Sequence, residues 1–167
     1  MDKSEIKAGR ERLVDALDAV LSVVRSVDPA DPTARERLES ALPADGEVLR
    51  ALGTLVREGV DAGWLCEREA NGVRFSRVAF ETHPKTAPLS IDAVSMHGPG
   101  PGHTHPHGEI DLTFAVDGEP TFDGQAPGWT VYAPGTWHVP TVRGGSMDIL
   151  YFLPEGAIRF EDAPSAS

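Results

Sequence analysis

A chain of 167 residues is long enough for one domain with a buried core. Its formal net charge of −11 argues against nucleic acid and anionic membranes as partners, since both demand a basic footprint that fifteen dispersed Lys and Arg do not supply. The one cysteine, Cys66, rules out an internal disulfide, and no apolar run approaches the roughly 18–20 residues of a spanning helix, so a cytoplasmic protein is expected.

The first residues, Met1-Asp2-Lys3-Ser4-Glu5, lack the basic-then-apolar plan of a signal peptide. From residue 4 to 27, apolar side chains recur at Ile6, Leu13, Leu17, Val20, Leu21, Val24 and Val27, the stripe of an amphipathic helix with Ser4 as N-cap. Asp28-Pro29-Ala30-Asp31-Pro32 ends it, because proline disfavours helical geometry in the residue before it. A short helix is expected over 33–42, and a third after Asp45 with Val48, Leu49, Leu52, Leu55, Val56 and Val60 on one face, closing near Gly63. These stripes need cover, either from the following sheet or from a second copy of the chain, and the second option makes a homodimer the expected assembly.

At Trp64 the period changes from helix to strand. Residues 64–80 read as a hairpin around Asn71-Gly72, a dipeptide that takes the positive φ values of a type I′ turn. Cys66, between Leu65 and Glu67, reads as a small half-buried hydrophobe and not a nucleophile. Residues 89–96 alternate as a strand. Residues 117–125 are rich in turn formers, 128–132 form a short strand, 133–138 a turn, and 139–142, 147–153 and 157–160 further strands. Short strands at such spacing imply a β-sandwich or barrel. The expected organisation is a helical segment over 1–63, a barrel over 64–162 and a frayed tail over 163–167.

The chemistry concentrates after Gly98-Pro99-Gly100-Pro101-Gly102. In a continuous strand His103, His105, His107, Glu109 and Asp111 would share one face, with Ile110, Leu112, Phe114 and Val116 on the other. A face so rich in imidazole and carboxylate suggests a metal site. His103, His105 and Glu109 are the candidate ligands from this stretch, and His138, after Pro134-Gly135-Thr136-Trp137, is the candidate fourth. Shifting the site to His105 and His107 with Glu109 breaks the three-residue gap. His107 and Asp111 are candidate acid and base groups beside the ligands; alternatively a bulge turns His107 outward and Asp111 serves to hydrogen-bond a ligand imidazole.

These residues resemble the cupin superfamily, whose first motif is His-x-His, three or four residues, then Glu, and whose second is Gly, then Pro-Gly, then His. Here they are His103-Thr104-His105, Glu109, and Gly128, Pro134, Gly135, His138. The resemblance implies a mainly β protein, a cupin-type jelly-roll barrel with an N-terminal α-helical segment, holding one divalent metal per chain on three His and one Glu. Two departures concern loop geometry: the glycine expected after the first motif comes late, at Gly118, and the second motif is one residue short. Fe²⁺, Mn²⁺, Zn²⁺, Co²⁺ and Ni²⁺ all suit such donors.

The longer pattern, a helical third followed by Gly63-Trp64-Leu65, Gly72-Val73-Arg74-Phe75, residues 103–112 and residues 128–142, resembles the bacterial p-hydroxylaminobenzoate lyase family. That resemblance implies conversion of 4-hydroxylaminobenzoate to 3,4-dihydroxybenzoate (protocatechuate) with release of ammonia, which consumes water without net oxidation and needs no nicotinamide or flavin. Asp111, His107 or Glu109 would move the protons. Trp129, Tyr132, Trp137 and Tyr151 are candidates to wall a small aromatic substrate, and Arg77 to hold its carboxylate. The competing readings are an iron-dependent cupin dioxygenase and a ligand-sensing cupin without turnover.

Overall fold

The computed structural model describes residues 1–165, so the last two residues of the expected tail lie outside the described residues; Ala163, Pro164 and Ser165 are exposed and irregular. Among the described residues four helices come first: α1 (Lys3–Ala16), α2 (Asp18–Arg25), α3 (Ala34–Ala41) and α4 (Glu47–Ala62). Nine strands follow: β1 (Arg68–Ala70), β2 (Val73–Ala79), β3 (Leu89–Pro99), β4 (His103–His105), β5 (Glu109–Phe122), β6 (Gly128–Tyr132), β7 (Thr136–His138), β8 (Thr141–Pro154) and β9 (Arg159–Phe160). The strands form a large antiparallel sheet in the order β1-β2-β3-β8-β5-β6 and a small one in the order β7-β4-β9. Among the described residues no helix is long and apolar enough to cross a membrane.

Several local expectations need correction. Asp2, not Ser4, caps the first helix: its carboxylate accepts from the Ser4 and Glu5 amides at 2.7 and 2.9 Å while Glu5 accepts from the Asp2 amide at 2.8 Å. The single helix expected over 4–27 breaks at Leu17, whose amide bonds back to Val14, a tighter turn than the α-helical one. Strand pairing begins only at Arg68, because Gly63 takes the left-handed cap conformation and Cys66 has φ +55°. The Asn71-Gly72 turn forms as expected, with φ +52° and +79°. Residues 117–122 belong to β5, and of the strand expected over 139–142 only Thr141 and Val142 form, joining 147–153 in β8. Both strands pass through bulges where Gly145 approaches the Asp117 carbonyl so closely that an added Cβ would lie 2.0 Å from it.

Alternation along the large sheet separates two apolar clusters. One face carries Ile91, Ala93, Ile110, Leu112, Trp129, Leu150 and Phe152, which join Leu13, Leu17, Leu21, Leu38, Leu49 and Val56 of the helices in one core. The other face carries Val94, Met96, Met147, Ile149 and Tyr151, turned into the barrel with Phe122 of the crossing strand end. The helical stripes on which the expectation of a homodimer rested are covered within the chain over most of their length, with Val48 left exposed. The Trp129 indole donates to the Leu42 carbonyl at 2.9 Å, tying β6 to the end of α3.

Trp64 closes the helical layer between α1 and α4. A Cβ on Gly9 would lie 2.5–2.8 Å from Cδ2, Cγ and Cε3 of its indole. Gly9→Ala gains about 1 kcal/mol of helix propensity but overpacks this contact at about 1–3 kcal/mol, so urea denaturation should show a net loss of stability. Cys66 is buried, and desolvation first, with Asp148 beside it, pushes its thiol up to about 12. The native protein should therefore resist alkylation by iodoacetamide at pH 8 and react on unfolding.

Candidate metal centre and adjoining cavity

The continuous strand expected from His103 to Asp111 is broken by its own sequence. Pro106-His107-Gly108 makes a turn in which Gly108 has φ +83° and its amide donates to the His105 carbonyl at 3.2 Å; a Cβ there would lie 2.8 Å from the Tyr132 carbonyl. β4 consequently belongs to the small sheet and β5 to the large one. His103 and His105 enter from one wall of the barrel and Glu109 from the other. His107 is not brought in: it sits in the turn with its side chain 53% exposed and Nε2 3.2 Å from a Glu155 oxygen.

The β4/β7 ladder sets His103 directly opposite His138. One ligand-capable atom each from His103, His105, Glu109 and His138 lies within 4.8 Å of every other. His103, His105 and Glu109 are buried and His138 half-buried. The fit to a cation follows from hydrogen bonding. His103 Nδ1 donates to the Pro101 carbonyl at 3.0 Å, and His138 Nδ1 donates to Asp123 Oδ2 at 2.6 Å. With both Nδ1 atoms protonated by this pattern, the two Nε2 atoms are lone pairs, yet they face each other at 3.1 Å.

Among the described residues neither nitrogen of His105 and neither oxygen of Glu109 has an aligned hydrogen-bond partner, although His105 Nε2 and Glu109 Oε2 are 3.2 Å apart. Buried lone pairs converging in this way require a positive charge between them. Burial holds the His103 imidazole below its ordinary range, which keeps it neutral and able to ligate. Burial works against Glu109, but His105, Asp111 and His103 outweigh it and hold this carboxyl below the usual range.

Asp111 follows Glu109 on the same face, fully buried, with both oxygens unpartnered. Burial and then the Glu109 charge push its carboxyl well above the usual range. Tyr132, opposite Glu109 on β6, stacks near His138 and His105 with ring centroids 4.2 and 5.1 Å away, and its hydroxyl donates to Asp123. Burial first, then Asp111 and Asp123, push that phenol up.

Among the other expected substrate residues, Tyr151 and Arg77 line a cavity of about 330 Å³ that His103 also lines, with Phe75, Val94, Met96 and Phe160 as further walls. Trp129 lies in the core on the helix side of the sheet. Trp137 sits opposite Thr104 on the small sheet, and its indole donates to the Glu161 carbonyl at 3.0 Å. A second hollow, about 410 Å³ between α4 and β5, is lined by none of the candidate residues.

Sequence reasoning missed Asp123, which it had assigned to a turn. The residue does turn the chain, with φ +48°, but its carboxylate accepts from His138, Tyr132 and the Thr141 amide together. Those hydrogen bonds hold it below the usual carboxylate range against the opposing effect of burial. No spacing rule links it to His138, fifteen residues on.

Two facing antiparallel sheets with three imidazoles and one carboxylate converging inside define a cupin. The chain is matched over residues 16–160 by the family model described as PnbB, 4-hydroxylaminobenzoate lyase. It belongs to the 4-hydroxylaminobenzoate lyase family. A Pseudomonas putida protein of that name is 32% identical over 152 residues, covering 78% of this chain and 86% of that protein. One from Nocardioides sp. (strain LMS-CY), also so named, is 31% identical over 166 residues, covering 91% and 96%. An RmlC-like cupin protein from Ralstonia eutropha, 18% identical, superposes with a TM-score of 0.41 over 56% of this chain and 62% of that one, a likeness too slight to build on.

Asp123→Asn keeps the shape and the Thr141 contact but removes the charge that orients His138. It should weaken binding of a divalent metal about 10- to 100-fold, measured by competition with a chelating dye.

Proposed function

We propose that this protein is a metal-dependent lyase that converts 4-hydroxylaminobenzoate and water to protocatechuate and ammonia. The observation that carries the reading is the convergence of one ligand-capable atom each from His103, His105, Glu109 and His138, those of His105 and Glu109 without hydrogen-bond partners among the described residues, beside a second buried carboxyl, Asp111, with His103 also lining an aromatic-walled cavity. The family to which the chain belongs supports the same reaction. His103, His105, Glu109 and His138 would hold one divalent ion, and its donor set suits Fe²⁺, Mn²⁺, Zn²⁺, Co²⁺ and Ni²⁺ alike. When bound, that ion supplies Lewis-acid polarisation of the hydroxylamino oxygen.

The chain's own groups do the proton work. Cleavage of the N–O bond needs a proton for the departing oxygen, and Asp111, a fully buried carboxyl that burial and the Glu109 charge push well above the usual range, is placed to carry one. Water then adds to the ring carbon beside the one bearing nitrogen, and the resulting carboxylate of Asp111 is the base that accepts its proton. Hydrolytic exchange of nitrogen for oxygen releases ammonia, and the sum consumes one water with no external oxidant. Tyr132, whose hydroxyl is held by Asp123, lies with its ring against the imidazoles of His105 and His138. His107, out on its turn, takes no part in this scheme.

Protein carrying its metal should release one ammonia per 4-hydroxylaminobenzoate under anaerobic conditions, read by an enzyme-coupled ammonia assay with protocatechuate followed by chromatography. Asp111→Asn should keep the metal content of the wild type and lose at least about 100-fold in kcat. Full turnover in metal-free protein, or a requirement for O₂, would sink the proposal, the latter in favour of a dioxygenase.

A further inference from the structure

The cavity beside the donor cluster is apolar over most of its wall, but its charges do not balance. Two guanidinium groups, Arg68 and Arg77, line it with one carboxylate, Asp92. Arg77 is already engaged, its Nε donating to Asp92 Oδ1 and its Nη2 to Oδ2 at 3.3 Å. A fork-to-fork pair of this kind occupies the donors that would meet a second carboxylate. An incoming anion would also meet the charge of Asp92 itself.

Arg68 has no carboxylate partner among the described residues. It sits directly opposite Phe75 across the β1/β2 ladder, and its guanidinium carbon lies 5.0 Å from the centre of that ring. The ring braces the cation at the cavity wall and leaves its N–H donors free. β1 is the outer strand of the large sheet, and β5, which carries Glu109, lies four strands on. Asp92, on β3 between them, feels the charges of both Glu109 and Arg68. The cavity thus has one uncompensated cation, Arg68 on β1, with His103 of the donor cluster in its lining and apolar walls over most of the remainder.

Resting on the lyase reading, we propose that Arg68 binds the ring carboxylate of the substrate and so directs the hydroxylamino end toward the donor cluster. The role that the sequence suggested for Arg77 passes to Arg68, because Arg77 is neutralised by Asp92.

Protocatechuate and catechol differ only by the carboxylate, and neither is consumed, so calorimetric titration of the protein as purified isolates this contact. Wild type should prefer protocatechuate about 10- to 100-fold, and Arg68→Gln should remove most of that preference while changing catechol affinity no more than about two-fold. Arg68→Lys should restore part of it, since a point charge cannot reproduce the fork. A wild type without the preference, or a preference that survives Arg68→Gln, overturns the proposal. Absence of ammonia release would remove the lyase reading and leave this binding result standing; loss of the binding result alone would leave the lyase reading intact.

Discussion

Two imidazole lone pairs facing each other at 3.1 Å are the constraint around which this barrel is arranged. Neutral histidines do not settle that close with acceptor against acceptor unless something positive lies between them, and neither ring is free to turn away. His103 is pinned by the Pro101 carbonyl and His138 by Asp123. The pinning groups sit on the far side of each ring, so the protein fixes the tautomer first and the orientation of the lone pair follows from it. Tyr132 and the Thr141 amide hold Asp123 in turn, which makes the outer hydrogen bonds as much a part of the site as the four donors.

The fold brings those donors together by separating what the sequence places side by side. His105 and Glu109 are four residues apart, yet one lies on the small sheet and the other on the large one, because Pro106 and Gly108 turn the chain between them. A regular strand would have put His103, His105, His107 and Glu109 in a row along one wall, spaced for an extended surface and not for a single ion. The turn gives up His107 to solvent and gains convergence.

How far the sequence discloses this depends on whether a feature is local. The helices over 33–42 and 45–63, the Asn71-Gly72 turn, the strand over 128–132 and the ligand motifs are written in short-range pattern, and the structure has elements at each of these places. The turn at 106–108 was also written there, in a proline and a glycine two residues apart; strict alternation was the wrong rule to apply across them. What could not be read is what depends on register between distant strands. The hydrogen bond from His138 to Asp123, the pairing of Arg77 with Asp92 and the placing of Trp129 on the helix side of its sheet all depend on how strands distant in sequence are brought together. Glycine-mediated bulges between β5 and β8 shift that register in ways no spacing of turn residues announces.

The N-terminal helices bear on the chemistry without touching it. The barrel interior holds Glu109 and Asp111 fully buried and without aligned hydrogen bonds, an arrangement that costs stability wherever it occurs. The small apolar cluster inside the barrel, built on residues such as Val94, Met147 and Ile149, is a poor candidate to offset that cost alone. The larger core lies on the opposite face of the same sheet, where α1 to α4 cover Ile110, Leu112, Trp129 and Phe152. Strand β5 thus presents Glu109 and Asp111 to the barrel interior and Ile110 and Leu112 to the helices. Residues alternate between the two along β5 itself: Glu109 inward, Ile110 outward, Asp111 inward, Leu112 outward. A single strand carries the site and its own anchorage, so a change that loosens Ile110 or Leu112 would displace the carboxylates beside them.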